Sequence, residues 1–289
     1  MDLQTAIQTA ANAGAASCML MMIAVGLSLA FGVMQMANYA HGEFFMAGAY
    51  TVYALYALGG VPFWVAIGAA VGVVCGIGLA VERAIFRPTR GNVLAGFMAT
   101  CGLAFIIVVF CGEVWGWGLM KYVPKPYMMP FGIMGAEVDF ARMLIIPFAI
   151  AGIGGLIFFM RRFKLGQALR AVAQDPEAAS LQGISINKIT ALAMGISGAL
   201  AGLAGGLMSV IYAVTPELGH QVILPAFIVV IVGGMGSVEG AVIASIIFGF
   251  THTFVTTIFD AVVAQMVIVA VMAGVLIMRP QGLMGRVAI

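Results

Sequence analysis

The chain has 289 residues, 63% of them hydrophobic and only 8% charged, with a formal net charge of +2 at neutral pH. A soluble domain carries about 45–50% apolar and about 25% charged residues, because its surface must be polar. This balance excludes a water-soluble globule. Apolar runs of about twenty residues, without the polar alternation of barrel strands, also exclude a membrane β-barrel. The predicted class is an all-α, polytopic integral membrane protein.

In chain order, apolar runs fall at 14–35, 43–58, 62–82, 93–112, 143–160, 189–213, 222–236, 238–259 and 262–278. A full crossing takes about 20 residues at 1.5 Å each. The runs at 43–58 and 222–236 are short for that, so they read as tilted, broken or re-entrant, and eight to nine transmembrane helices are expected. Met1 to Cys18 contains no Lys or Arg, so the first run reads as a retained span rather than a cleaved signal.

Orientation follows from the basic residues. They form three clusters: Arg83, Arg87 and Arg90; then Arg161, Arg162, Lys164, Arg170 and Lys188; then Arg279 and Arg286. An even number of runs separates successive clusters, which puts all three on the cytoplasmic side and the segment 113–142 outside. The side of the amino terminus stays open, since eight crossings would put it inside and nine outside.

Two runs carry glycine at every fourth position, Gly68, Gly72, Gly76 and Gly198, Gly202, Gly206. That spacing stacks them on one helix face and admits a close backbone, either within the fold or in a second subunit. Cys18, Cys75, Cys101 and Cys111 lie in or beside apolar runs with no CxxC spacing, and read as small apolar filler.

The longest hydrophilic stretch on the basic side is Arg161 to Lys188. Asp175 is a natural N-cap, Pro176 suits the first helical position, and Glu177 favours the positive end of the helix. Gly183 is placed to end the helix, giving a short helix over 176–182 after a helical stretch near 166–173. By composition alone, the loop reads equally as a solvated tether between spans.

Polar residues also occur where the runs break. One break holds Gln35, Asn38, Tyr39, His41 and Glu43; the other runs from Gly233 to Gly240 and holds Ser237 and Glu239. Such residues are expensive in hydrocarbon and usually face a cavity or partner helix. Interrupted helices in both halves of a chain point to a transport route, and the two breaks are expected to meet near the membrane midplane. The plainer alternative is two loops at a membrane surface. His220 and Glu217 are expected in an outer turn after Pro216, Asp260 at an outer helix end, and Glu82 and Arg83 at an inner one.

Glu177-Ala178-Ala179 followed by Gly183 resembles the EAA---G loop of bacterial ABC import permeases. The segments GLSLAFGVMQMANYAHGEFFMAGAY, ERAIFRPTR and VGGMGSVEGAVIASIIFG resemble the branched-chain amino-acid permease family, specifically the shorter of its two permease subunits. The outer segment 113–142 carries none of these signatures. The resemblance implies one permease domain over residues 1–289 in a bacterial inner membrane, with a coupling loop at 161–188. It further implies a second permease subunit, two cytoplasmic ATPases and an external solute-binding protein. ATPase coupling would fall to Arg170, Asp175, Glu177, Ala178, Ala179 and Gly183, and the substrate pathway to Asn38, His41, Glu43, Ser237 and Glu239. No cofactor, metal or nucleic-acid partner is expected. The chain lacks a GxxxxGK[ST] loop, so ATP hydrolysis is expected in partner subunits. Rival readings are an ion-coupled secondary transporter, using Glu43 and Glu239, and a small-solute channel, which would need a polar filter.

Overall fold

The computed structural model describes residues 2–127, 130–133 and 136–285. Arg286, counted above in the third basic cluster, lies outside them. Among the described residues, seven helices are long and apolar enough to cross a membrane. They are α1 (Leu3–Met34), α3 (Phe63–Val81), α4 (Val93–Trp115), α5 (Phe140–Arg162), α8 (Ile186–Met208), α10 (Val238–Ile258) and α11 (Ala261–Met278). A π-helical turn extends α3 to Phe86. Two apolar helices are shorter: α2 (His41–Val52), prolonged by a π-helical turn to Leu58, and α9 (Leu218–Gly233). These nine helices correspond to the nine apolar runs. The β-structure among the described residues is a small antiparallel hairpin, β1 (Pro130–Ile133) with β2 (Ala136–Asp139), and a bridge between Lys121 and Val214.

The three basic clusters come to one face. Arg87 and Arg90 donate to Asn187 at 3.3 and 2.8 Å, joining the first cluster to the start of α8. The Leu283 and Met284 amides, after Arg279, bond to the carbonyls of Val232 and Gly233 at the end of α9. Arg161 reaches Glu239 at 2.8 Å. The end of α1 joins this face too, since Gly32 packs directly on Gly236. A 32-residue helix spans roughly 48 Å, so the amino terminus lies on the opposite, outer side, where α1 also contacts β2.

Of the seven long helices, α8 and α1 are the most enclosed by the rest of the fold; α4 and α11 lie at its periphery. The glycines of α8 explain its position. A Cβ at Gly198 or Gly202 would stand 2.5 or 2.7 Å from the carbonyl oxygens of Val74 and Ala70 on α3, closer than any packed side chain allows. Gly48 of α2 meets Gly202 from another side, where its Cβ would fall 2.6 Å from the carbonyl. Close backbone approach replaces the hydrophobic drive that lipid cannot supply. Gly68, Gly72 and Gly76 have open space instead, so one glycine stripe serves the fold and the other faces outward.

On the basic face lie α6 (Lys164–Gln174) and α7 (Pro176–Leu181). The Asp175 carboxylate accepts from the amides of Glu177 and Ala178, both at 2.9 Å. Gly183, with φ +79°, closes the helix: its amide bonds to Ser180 and that of Ile184 to Ala179, satisfying carbonyls a helix end leaves free. Ala179 is buried against Leu169, Val172, Ile189 and Ala193, which holds α7 on α6 and α8. Glu177, Ala178 and Leu181 point outward.

Candidate substrate pathway

Helix α1 ends at Gln35, the one non-glycine residue among those described with positive φ, at 54°. This left-handed cap turns the chain back into the protein. Met36 lies against Gly96, near the inner end of α4. The Tyr39 amide then bonds to Thr100 at 3.2 Å, and the Tyr39 ring meets Phe97. His41, the first residue of α2, sits beside Gly26 and reaches the Ile23 carbonyl at 3.2 Å. The chain therefore climbs from the inner face toward mid-membrane before α2 begins.

Helix α9 begins at the same depth. Gly219 packs against Gly42 and the Glu43 carboxylate, and the His220 ring lies 6.2 Å from that of Phe105, halfway along α4. From there α2 leads outward, to Tyr50 stacked on Trp115, while α9 leads inward to Gly233. The two short helices are half-spans whose amino-terminal ends meet. His220 thus lies deep in the fold, not in an outer turn as Pro216 suggested; residues 209–217 carry the chain back inward from α8. Tyr39 caps the junction, stacked at 6.4 Å on Phe227 and 6.2 Å from His220.

The polar groups at this junction are almost wholly enclosed: Asn38 is 1%, His41 0% and Glu43 1% exposed. His41 Nε2 faces a carbonyl, which only accepts, so Nε2 carries the proton and Nδ1 is a bare acceptor. Nδ1 has no partner within the chain, nor do both Asn38 side-chain polar atoms or Glu43 Oε2. Glu43 Oε1 lies 3.4 Å from His220 Nδ1, within ion-pair reach but without hydrogen-bond alignment. The Ser28, Ser197 and Tyr50 hydroxyls are likewise buried without a partner in the chain. Each unsatisfied buried group costs about 1–3 kcal/mol, and such groups call for a polar visitor or water.

Ser237 and Glu239 lie elsewhere. The 38–43 and 233–240 breaks do not meet at the midplane; the second sits at the inner face. A 560 Å³ cleft there is lined by Gln35, Arg161, Arg170, Ser237 and Glu239 among others. Ser237 caps α10 by accepting from the Gly240 amide at 3.0 Å, a structural job, and Glu239 pairs with Arg161 in the open. Glycine forces this placement. A Cβ at Gly233 would meet the Gly240 carbonyl at 2.6 Å, and Gly236 adopts φ +83° against Gly32. The two regions are linked through Gln35, which lies at the cleft and begins the climb to His41.

His220, Tyr39 and Gln35 were not among the residues assigned to the pathway from sequence. A signal for His220 was present: Glu217-Leu218-Gly219-His220 opens a short run, just as Ala40-His41-Gly42-Glu43 does. Among the described residues no cluster of three His, Cys, Asp or Glu is placed to hold a metal.

A family model described as branched-chain amino acid transport system / permease component matches residues 10–276. The chain belongs to that family. It is similar to the high-affinity branched-chain amino acid transport system permease protein BraD of Pseudomonas aeruginosa, with 30% identity over 279 residues, 92% of this chain and 91% of the relative. LivH of Escherichia coli, a permease protein of the same description, is 28% identical over 282 residues, 92% of this chain and 91% of its own length. LivM of Salmonella typhimurium, also so described, is 24% identical and matches 91% of this chain but 67% of itself. No solved structure matches. The chain is thus a multi-pass membrane permease component of the family, which is not itself the ATPase.

Proposed function

We propose that this chain forms one membrane half of an ATP-driven importer of branched-chain amino acids in a bacterial inner membrane, acting as a single permease domain over 1–289. The supporting observation is similarity along 92% of the chain to a permease described for that transport. Its partners are a second permease subunit, two cytoplasmic ATPases that hydrolyse the ATP, and an external solute-binding protein. The coupling loop at 161–188 carries ATPase movements into the membrane through Arg170, Asp175, Glu177, Ala178, Ala179 and Gly183. The exposed outer side of α7 supports that role, because a docking helix must present side chains to its partner.

Alternating access would open the junction of α2 and α9 to each side in turn. Asn38, His41 and Glu43 contact the solute at mid-depth, with His220 beside them, while Ser237 and Glu239 flank the inner mouth. The chain supplies contacts and gates, not covalent chemistry. Reconstitution of the chain with its partner subunits in proteoliposomes tests this reading. The expected result is ATP-dependent uptake of leucine, isoleucine or valine that requires the binding protein. Uptake driven by an ion gradient without ATPases would overturn it.

A further inference from the structure

The geometry points to one recognition site for an α-amino acid with an aliphatic side chain, made from the α2–α9 junction and the apolar cleft beside it. The inference rests on the amino-acid reading above and says which part of the chain grips which part of the solute.

The polar end comes first. Glu43 is buried, with Oε2 free of any partner in the chain and lying against Gly219 at the start of α9. A carboxylate at this depth calls for a cation, and the ammonium group of an amino acid supplies one. The first turn of α9 supplies the complement. No side chain caps it, and the Leu218 and Gln221 amides bond to Thr215 and Glu217, which leaves the amides of Gly219 and His220 to meet a carboxylate.

The apolar end follows from helix periodicity. Glu43, Ala47, Tyr50 and Thr51 occupy one stripe of α2, being separated by four, seven and eight positions. The last three line a 670 Å³ cleft between α2, α3 and α4, closed on the α4 side by Leu103 and Ile107. Thr100 lies on the same stripe of α4, one turn before Leu103, and accepts from the Tyr39 amide at 3.2 Å, which brings the cleft and the junction together. A solute anchored at Glu43 thus has its side chain directed along α2 toward the cleft one helical turn away. A hydrophobic slot with a few convergent polar groups at one end is the usual build of a small-molecule site.

The test uses the full assembly in proteoliposomes, with ATP-driven uptake of L-leucine and L-alanine measured side by side. Ala47→Phe narrows the cleft, so leucine uptake falls about tenfold more than alanine uptake. Leu103→Trp, on the loosely packed α4, gives the same bias and covers the case in which Ala47→Phe fails to fold. Glu43→Gln lowers uptake of both solutes by about tenfold or more, and Glu43→Asp recovers part of it. If both cleft variants leave the leucine-to-alanine ratio within about twofold of the parent, the site assignment is wrong while the transport reading stands. That outcome is the one expected of a cleft filled by a lipid chain or a helix of the second permease. A parent assembly that hydrolyses ATP but moves neither amino acid overturns the transport reading, and this inference with it.

Discussion

Arg87 Nε donates to both oxygens of the Glu82 carboxylate, at 3.0 and 2.9 Å, at the inner end of α3. Glu82 is fully buried and also accepts from Thr190 on α8 at 2.7 Å, with Arg90 4.0 Å away. The ERAIFRPTR segment is therefore a clamp between α3 and α8 rather than a simple helix end.

The clamp is asymmetric, and so are the expected costs. Arg87 is one-third exposed and can return to water, whereas Glu82 cannot. Arg87→Met strands the carboxylate and should cost about 3 kcal/mol or more, since an uncompensated buried charge is left behind. Glu82→Gln should cost less, about 1–2 kcal/mol. Thermal unfolding of the purified chain in detergent ranks the two; equal costs would mean that Glu82 is hydrated.

Glycine stripes give a second contrast. Gly202→Ala drives a methyl group into the Ala70 carbonyl and should destabilise by about 1–3 kcal/mol. Gly72→Ala meets only open space and should be neutral or stabilise α3 by up to about 1 kcal/mol. The same unfolding measurement applies, and a large loss at Gly72 in the isolated chain would contradict the outward placement of its stripe.

For the coupling loop, Gly183→Val puts a β-branched residue at φ +79°, a left-handed conformation that costs such residues about 1–2 kcal/mol. The closure of α7 should loosen, and the ATPase subunits should co-purify poorly while the chain still reaches the membrane. Glu177→Lys should do the same through an exposed charge reversal, without loss of chain stability. Normal ATP hydrolysis and uptake with both changes present would remove α7 from the docking role.

On the outer side, Asp139 caps α5, accepting from the Ala141 amide at 3.1 Å, and pairs with Lys125. Burial works to raise the pKa of Asp139, yet the Lys125 ammonium, the Ala141 amide and Arg142 outweigh it and hold the group below its ordinary 3.8. A depressed carboxylate stabilises the fold above the unfolded pKa and loses that contribution as pH falls through the folded value. Amide exchange at Ala141 should therefore stay slow from neutral pH down to the ordinary carboxylate range and speed up on further acidification. Asp139→Asn should flatten that dependence; an unchanged profile would disprove the cap's role.

Much of this architecture was legible because its causes are local. Continuous apolar runs gave the helices, and Arg and Lys gave the shared inner face. Asp175, Pro176 and Gly183 gave α7 almost to the residue, since caps depend on neighbours in sequence. The site was less legible because it depends on which helix ends meet. Nothing local to Gly233–Gly240 distinguishes a mid-membrane break from a turn at the inner face. Contacts distant in sequence decide it: Gly236 on Gly32, Arg161 with Glu239, and the Leu283 and Met284 amides on Val232 and Gly233. Likewise, His220 follows a proline-containing turn that sequence alone places outside, and its mid-depth position comes from the packing of Gly219 on Gly42 and Glu43, far earlier in the chain.

The half-spans also constrain how the protein is made. Helix α9 has 16 residues and opens beside Glu217 and His220, too short and too polar at its start to cross a bilayer unaided. Its last turn packs on α10 through Gly233 and Gly240, but its first turn must lock against α2, synthesised some 180 positions earlier. Seating of α9 therefore waits on a finished first half. Substitutions at Gly42 or Gly219 should appear as failures of biogenesis, with α9 left outside its slot and the chain degraded, before any defect in transport could be measured.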